Sequence, residues 1–363
     1  MDRSTKTPLA LLSIVGLAIL ATYLLALSGP GSLTVISAPP KETLVPQPAL
    51  GTWYAVFFTD RTLERFNGGP DEPLVESIEQ ALLSVDVAAY DLTLWSIRDA
   101  LLDAHARRLS VRVVIEADYA DEEEVQQLIE AGIPVVMDDS EEGWMHNKFV
   151  IVDRQGAWTG SMNFTLNGAY RNDNNLIWIG SADVARVYLA EFEEMFEGGV
   201  FGDRSPREAG GHPLTVNDTL LEVWFSPDDG VRARIVELIN AAQYSVHFLA
   251  YSFTSNEISD AITARAEAGL VVQGVLDEGQ LDNPGGEFAR MLAAGLDVSL
   301  DGNPDRMHHK VIVIDGKVVI TGSYNFSASA EERNDENVVI LFSEEIARVY
   351  LQEFARVRAE AAR

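Results

Sequence analysis

Met145-His146-Asn147-Lys148-Phe149-Val150-Ile151-Val152-Asp153 returns later in the chain as Met307-His308-His309-Lys310-Val311-Ile312-Val313-Ile314-Asp315, an offset of 162 residues (146 to 308). The same offset carries Gly160-Ser161-Met162-Asn163-Phe164 onto Gly322-Ser323-Tyr324-Asn325-Phe326, and Arg171-Asn172-Asp173 onto Arg333-Asn334-Asp335. Upstream the match is looser but persists at 161: Ala89-Tyr90 pairs with Ala250-Tyr251, and Asp99-Ala100 with Asp260-Ala261. A near-constant offset from residue 89 to residue 173 is the mark of two copies of one domain. Two copies are too few for a solenoid.

Within each copy, strand-like and helix-like runs alternate. Residues 85–94 and 245–253 read as strands, and 97–105 and 258–267 as helices. Residues 110–115 and 270–276 read as buried strands, and 122–131 and 286–294 as short helices. The His-x-Lys strand follows. This order predicts an α/β fold, a sheet layered by helices. Residues 52–201 are the expected first domain and 219–363 the second. Pro206, Gly210, Gly211 and Pro213 mark residues 202–218 as a linker.

The chain of 363 residues, 47% hydrophobic and 23% charged, is long enough for two such cores and too apolar to be disordered. It has no cysteine, which excludes a thiol nucleophile, a Cys-ligated metal and a lipidated cysteine. Lys and Arg number 27 against 56 Asp and Glu, a formal net charge of −29. A chain so acidic is repelled at long range by phosphate backbones, which disfavours a protein that coats nucleic acid.

Residues 8–27 carry no charge and follow Arg3 and Lys6. At about 1.5 Å per residue, such a run spans a hydrocarbon core of about 30 Å. The basic flank stays cytoplasmic, placing the bulk of the chain outside. Ala26-Leu27-Ser28 also suits a cleavage site, so residues 1–28 are a membrane anchor or a signal peptide. Residues 29–51 read as an extended tether.

Side chains alternate along a strand, so His146 and Lys148 share a face, as do His308 and Lys310. Asn147 and His309 point the other way, which discounts His309 as a reacting group. Asp153 and Asp315 end their strands and are either turn caps or catalytic. Gly160-Ser161 and Gly322-Ser323 let backbone approach an anion, and Asn163 and Asn325 can donate amide hydrogens to phosphate oxygens. One His, one Lys and one Asn, brought twice to one cleft, make a metal-free pocket for a single phosphodiester. One imidazole attacks phosphorus while the other protonates the leaving oxygen. The lysines and amides hold the non-bridging oxygens. His105 and His247 read as structural, and His212 as a solvated linker residue. Trp53, Trp95, Trp144 and Trp224 are core positions or the rim of a lipid-binding mouth, with Trp144, two residues before His146, foremost.

These residues resemble the phospholipase D superfamily, whose signature is His-x-Lys, four residues, Asp, then Gly-Ser-x-Asn. The resemblance covers roughly residues 52–360. It implies duplicated α/β/α sandwich domains with mixed sheets, packed face to face, and one active site at their interface. It implies a covalent phosphohistidine and no metal or other cofactor. By analogy, His146 is the nucleophile and His308 the general acid. The family often has a supporting Glu 21 residues after the motif Asp. Glu336 stands there in the second copy (315 to 336) and Asn174 in the first (153 to 174). Each is expected to support the His of its own copy, so Glu336 would raise the pKa of His308 and suit it to the acid role. Asp173 is the candidate stand-in for the missing Glu. Ser161 and Ser323 complete the phosphate-binding and supporting set.

The resemblance implies a phosphodiesterase that hydrolyses, and in some members transfers, the phosphatidyl group of phospholipids at a membrane surface. The alternatives are an exported or anchored endonuclease of the same superfamily and a non-catalytic lipid- or partner-binding relative. Both motifs lie in one chain, so a monomer is expected. Its catalytic domains would be anchored or secreted outside the cytoplasm.

Overall fold

The computed structural model describes residues 49–63, 65–140, 143–206 and 211–361. The expected anchor or signal segment and most of the tether lie outside them. No helix among the described residues is long and apolar enough to cross a membrane.

The first half contains strands β1 (Ala49–Leu50), β2 (Tyr54–Phe58), β3 (Ser84–Ala89), β4 (Ser110–Ile115), β5 (Val135–Met137), β6 (Lys148–Val152), β7 (Gly156–Gly160) and β8 (Asn175–Ile179). Its helices are α1 (Asp71–Gln80), α2 (Trp95–Ala106), α3 (Glu123–Glu130), α4 (Leu166–Tyr170) and α5 (Ala182–Phe196). The second half contains β9 (His212–Val216), β10 (Thr219–Ser226), β11 (Ser245–Ala250), β12 (Val271–Leu276), β13 (Asp297–Leu300), β14 (Lys310–Ile314), β15 (Val318–Gly322) and β16 (Glu336–Phe342). Its helices are α6 (Val231–Ala241), α7 (Asn256–Glu267), α8 (Phe288–Ala293), α9 (Ala328–Glu332) and α10 (Glu344–Ala361).

The strand orders are β1-β2-β8-β7-β6-β3-β4-β5 and β9-β10-β16-β15-β14-β11-β12-β13. The two sheets are therefore the same sheet twice. In each, the last three strands are parallel and the remaining neighbours antiparallel, giving two mixed sheets. The β-branched runs of β6 and β14 are buried throughout because both faces of each sheet are covered. Alternate residues of β6 enter different cores. Val150 and Val152 join the outer core under α1 and α2, while Phe149 and Ile151 join the central one. In the second half, Ile312 and Ile314 face the outer core with α6 and α7, while Val311 and Val313 face inward. The central core lies between the sheets and is filled by Tyr188 and Phe192 of α5 and Tyr350 and Phe354 of α10.

The stretch expected as a linker carries β9, paired antiparallel with β10 at the sheet edge. Pro213 fits there because an edge strand needs no donor on its open side. His212, expected to be solvated, is the half-buried first residue of that strand.

Two short backbone joints seam the halves together. Met145 bridges to Asp335, and Asp173 to Met307. They are one joint seen twice, because 173 maps to 335 and 145 to 307 at the repeat offset. Buried amides reinforce the seam: Asn175 Nδ2 donates to Thr321 Oγ1 and Tyr350 Oη, each at 2.8 Å, and Thr159 Oγ1 donates to Asn337 Oδ1.

Candidate active site

The seam sets both motif histidines. His146 N–H donates to the Asp335 carbonyl at 3.0 Å, and His308 N–H to the Asp173 carbonyl at 2.9 Å. Each histidine is thus pinned through its backbone to the other half. Their side chains enter a shared cleft of about 480 Å³, which Asn163 and Asn325 also line. The Oδ1 atoms of both asparagines are buried.

Lys148 and Lys310 are buried behind the histidines, each donating Nζ to the carbonyl of its own His. Each ammonium lies over a tyrosine ring, Tyr90 at 4.9 Å and Tyr251 at 4.8 Å. The same rings meet the imidazoles edge-on at 4.6 and 4.5 Å. These tyrosines brace the reacting groups and were missed as functional residues. Their signal was the repeated Ala-Tyr dipeptide.

The supporting residues cross between the halves, which corrects the expected pairing. Glu336 Oε2 lies 2.7 Å from Nδ1 of His146, not of His308. Asn174 Oδ1 lies 3.0 Å from Nδ1 of His308, which also approaches the Ser161 carbonyl at 3.1 Å. The reason lies in the seam: Asn174 and Glu336 each follow the residue whose carbonyl holds the other half's histidine. Asn174 cannot turn over, because its Nδ2 donates to the Gly168 carbonyl and its Oδ1 accepts from Ser161 Oγ. Both acceptors at His308 lack a proton to give, so its Nδ1 bears the hydrogen. Ionised Glu336 imposes the same tautomer on His146. Nε2 is then left for chemistry in each ring.

Ser161 and Ser323 support these residues rather than the phosphate. Both are fully buried, and each accepts the backbone N–H of the asparagine that follows the supporting residue. Asp173 is no substitute for a glutamate. Its carboxylate is held by Arg61, Arg356 and Asn303. His309, on the opposite face as expected, meets Glu353 at 2.9 Å in the central layer.

Asp153 and Asp315 are not at the cleft. They occupy the turns at the far ends of β6 and β14, with φ of 52° and 53°. With Arg154 and Gly316, also at positive φ, they form tight hairpin turns. Asp153 accepts the N–H groups of Leu82, Leu83 and Ser84, and Asp315 those of Gln243, Tyr244 and Ser245. Of the two roles left open by the sequence, capping is the one they fill. The motif glycines also have another reason than anion binding. At Gly160 and Gly322 (φ 149° and 150°), a Cβ would lie 2.3 and 2.1 Å from the carbonyl oxygens of Asn175 and Asn337. They are glycines so that the neighbouring strand can close on them. Among the tryptophans, Trp144 lines the cleft mouth and is 47% exposed. Trp53 packs against the central core, and Trp224 against the outer core of the second half.

Burial dominates the electrostatics. It holds both imidazoles well below their ordinary range, and the neighbouring lysines add to the effect. Burial also brings Lys148 down to about 7 and pushes Glu336 up to about 7. Lys310 is held well below its usual value by burial and by Lys148. A phosphodiester anion among these groups would draw both lysines back to the ammonium form.

A family model described as "Cardiolipin synthase, PLD-like domain" matches residues 74–196 and 235–358. The chain belongs to the phospholipase D-like family and is a phosphodiesterase of that type. It is 36% identical over 135 residues to a phospholipase D of Rickettsia conorii, covering 37% of this chain and 68% of that one. It is 32% identical over 125 residues to a mitochondrial cardiolipin hydrolase of Homo sapiens, covering 34% of this chain and 50% of that protein's length. The crystal structure of a phosphatidylserine synthase of Haemophilus influenzae shares the fold, with a TM-score of 0.63 at 13% identity. That match covers 84% of this chain and 86% of that one.

Proposed function

We propose that the chain hydrolyses the phosphatidyl group of phospholipids at a membrane surface through a phosphohistidine on His146. The carrying observation is the unequal support of the two imidazoles: a carboxylate on His146 and an amide on His308. A carboxylate on Nδ1–H raises the basicity of Nε2 and stabilises the imidazolium that forms as Nε2 bonds to phosphorus. An amide gives no such charge, so a protonated His308 is the stronger acid. The assignment of roles matches that of the family resemblance, but its physical ground is the reverse of the sequence expectation. Glu336 serves the nucleophile, not the acid.

In the first step His308 enters as the imidazolium, which the bound phosphodiester anion favours: His146 Nε2 forms a bond to phosphorus, the bond to the leaving oxygen breaks, and the His308 Nε2–H protonates that oxygen, leaving His308 neutral. Lys148, Lys310, Asn163 and Asn325 hold the non-bridging oxygens as charge builds. In the second step, neutral His308 takes a proton from water. The resulting hydroxide displaces His146 from phosphorus, giving phosphatidic acid. A primary alcohol in place of water gives a phosphatidyl-alcohol.

The test is to incubate the full chain with mixed phospholipid vesicles and a primary alcohol, and to look for phosphatidyl-alcohol by mass spectrometry. A His146→Ala control runs in parallel. Acid-quenched peptide mapping then locates the phosphoryl group. Product that requires His146, with label on His146, is expected. Label on His308 reverses the roles. Intact lipids beside cleaved DNA would move the assignment to the nuclease alternative.

A further inference from the structure

The two halves line the cleft with both matched and unmatched groups, and its exposed corresponding pair, Trp144 and Arg306, is unmatched. Both histidines, both tyrosines and both asparagines recur, whereas three corresponding pairs of lining residues differ. Asp91 corresponds to Ser252, Tyr119 to Gln280, and Trp144 to Arg306. The first wall is therefore aromatic with one carboxylate. The second is hydrophilic with one guanidinium. Arg306 is exposed, lies 5.8 Å from the Tyr251 ring centroid, and forms no ion pair among the described residues. The nearby Asp277 accepts the Met307 N–H instead.

A phosphodiester carries two unlike substituents, and a two-fold mouth could not tell them apart. This one can. In an in-line displacement by His146, the leaving alcohol departs toward His308 and so lies along the second wall. We infer that Arg306 selects diesters whose leaving alcohol is polar and carries a negative charge of its own, a second phosphate or a carboxylate. This rests on the proposed role of His146. A cationic alcohol such as choline meets like charge there. Were His308 the nucleophile, the leaving group would instead meet Trp144, Tyr119 and Asp91, a surface suited to an ammonium group.

The test gives the full chain, in detergent micelles, the dihexanoyl phosphatidyl esters of choline, glycerol and glycerol 3-phosphate. A second series replaces the diacylglycerol by an arylmethyl group. The glycerol 3-phosphate ester should have the highest kcat/KM, with the advantage in KM. Arg306→Gln should lower its ratio to the choline ester about tenfold. Arg306→Lys should keep most of the ratio. A ratio unchanged in Arg306→Gln, or a wild-type preference for choline, overturns the inference. If only the arylmethyl series is cleaved, the phosphatidyl reading fails while the ratio is still measured. Cleavage of neither series overturns both.

Discussion

Replacing Glu336 by Gln should damage catalysis without damaging the fold. The side chain is fully buried, with Oε2 on His146 and Oε1 3.4 Å from Asn334 Nδ2. A glutamine must place an N–H either against that donor or against Nδ1 of His146. The variant loses a charge-assisted hydrogen bond, worth about 2.7 kcal/mol, or close to a hundredfold in kcat/KM. The pH profile gives a second readout. Glu336 is pushed up to about 7 by burial. Below that pH its protonated form donates to Nδ1 and moves the imidazole hydrogen onto Nε2, disarming His146 for the proposed nucleophilic role. Wild-type kcat/KM should therefore fall as pH drops through about 7, and that limb should vanish in Glu336→Gln. Stability runs the other way. A carboxyl whose folded pKa lies above its unfolded value of 4.5 costs stability as pH rises from there through about 7. That cost, up to about 3 kcal/mol at pH 8, is absent in the glutamine variant. The assay is hydrolysis of a p-nitrophenyl phosphodiester from pH 5 to 9, beside thermal melts at pH 8. A loss under threefold, a surviving acidic limb, or a variant that melts well below wild type would refute the reasoning.

Asp153→Ala and Asp315→Ala should each lower unfolding stability by about 1–2 kcal/mol in urea titrations, because each carboxylate caps three N–H groups. Specific activity per folded molecule should be unchanged, and a hundredfold loss in kcat would restore the catalytic role. Gly322→Ala should fail to accumulate as folded protein, since its methyl meets the Asn337 carbonyl at 2.1 Å; a wild-type melting temperature would contradict this. Burial alone would raise Glu353, but Arg356 and His309 hold it near 2. Its folded pKa is depressed, so its stabilisation is present above the unfolded value of about 4.5 and lost as pH falls toward 2. The melting-temperature gap between wild type and Glu353→Gln should close across that window.

Much of this was legible in the chain because the repeat is nearly exact where chemistry and close packing both act. The offset aligns His146 with His308 and Gly160 with Gly322, and strand periodicity alone put His309 on the wrong face for catalysis. What stayed hidden was contact in trans. Sequence spacing ties Glu336 to its own motif at a distance of 21 residues (315 to 336), yet the seam hands it to His146. The motif Asp could not be resolved between cap and catalyst because both need the same carboxylate at a strand end. Pro213 and the glycines around it imitate a linker, and only pairing with β10 shows an edge strand.

The crossed support has a consequence for what duplication made attainable. Two identical chains meeting about a dyad would be obliged to give both imidazoles the same partner, so the two would be equivalent until a substrate bound. Joined in one polypeptide, the copies are released from that obligation. One imidazole keeps a carboxylate and the other an amide, and the mouth acquires a direction. Each half has also ceded to its twin the residue that defines its own histidine. A change at Asn174 or Glu336 in one copy is therefore felt first at the histidine of the other.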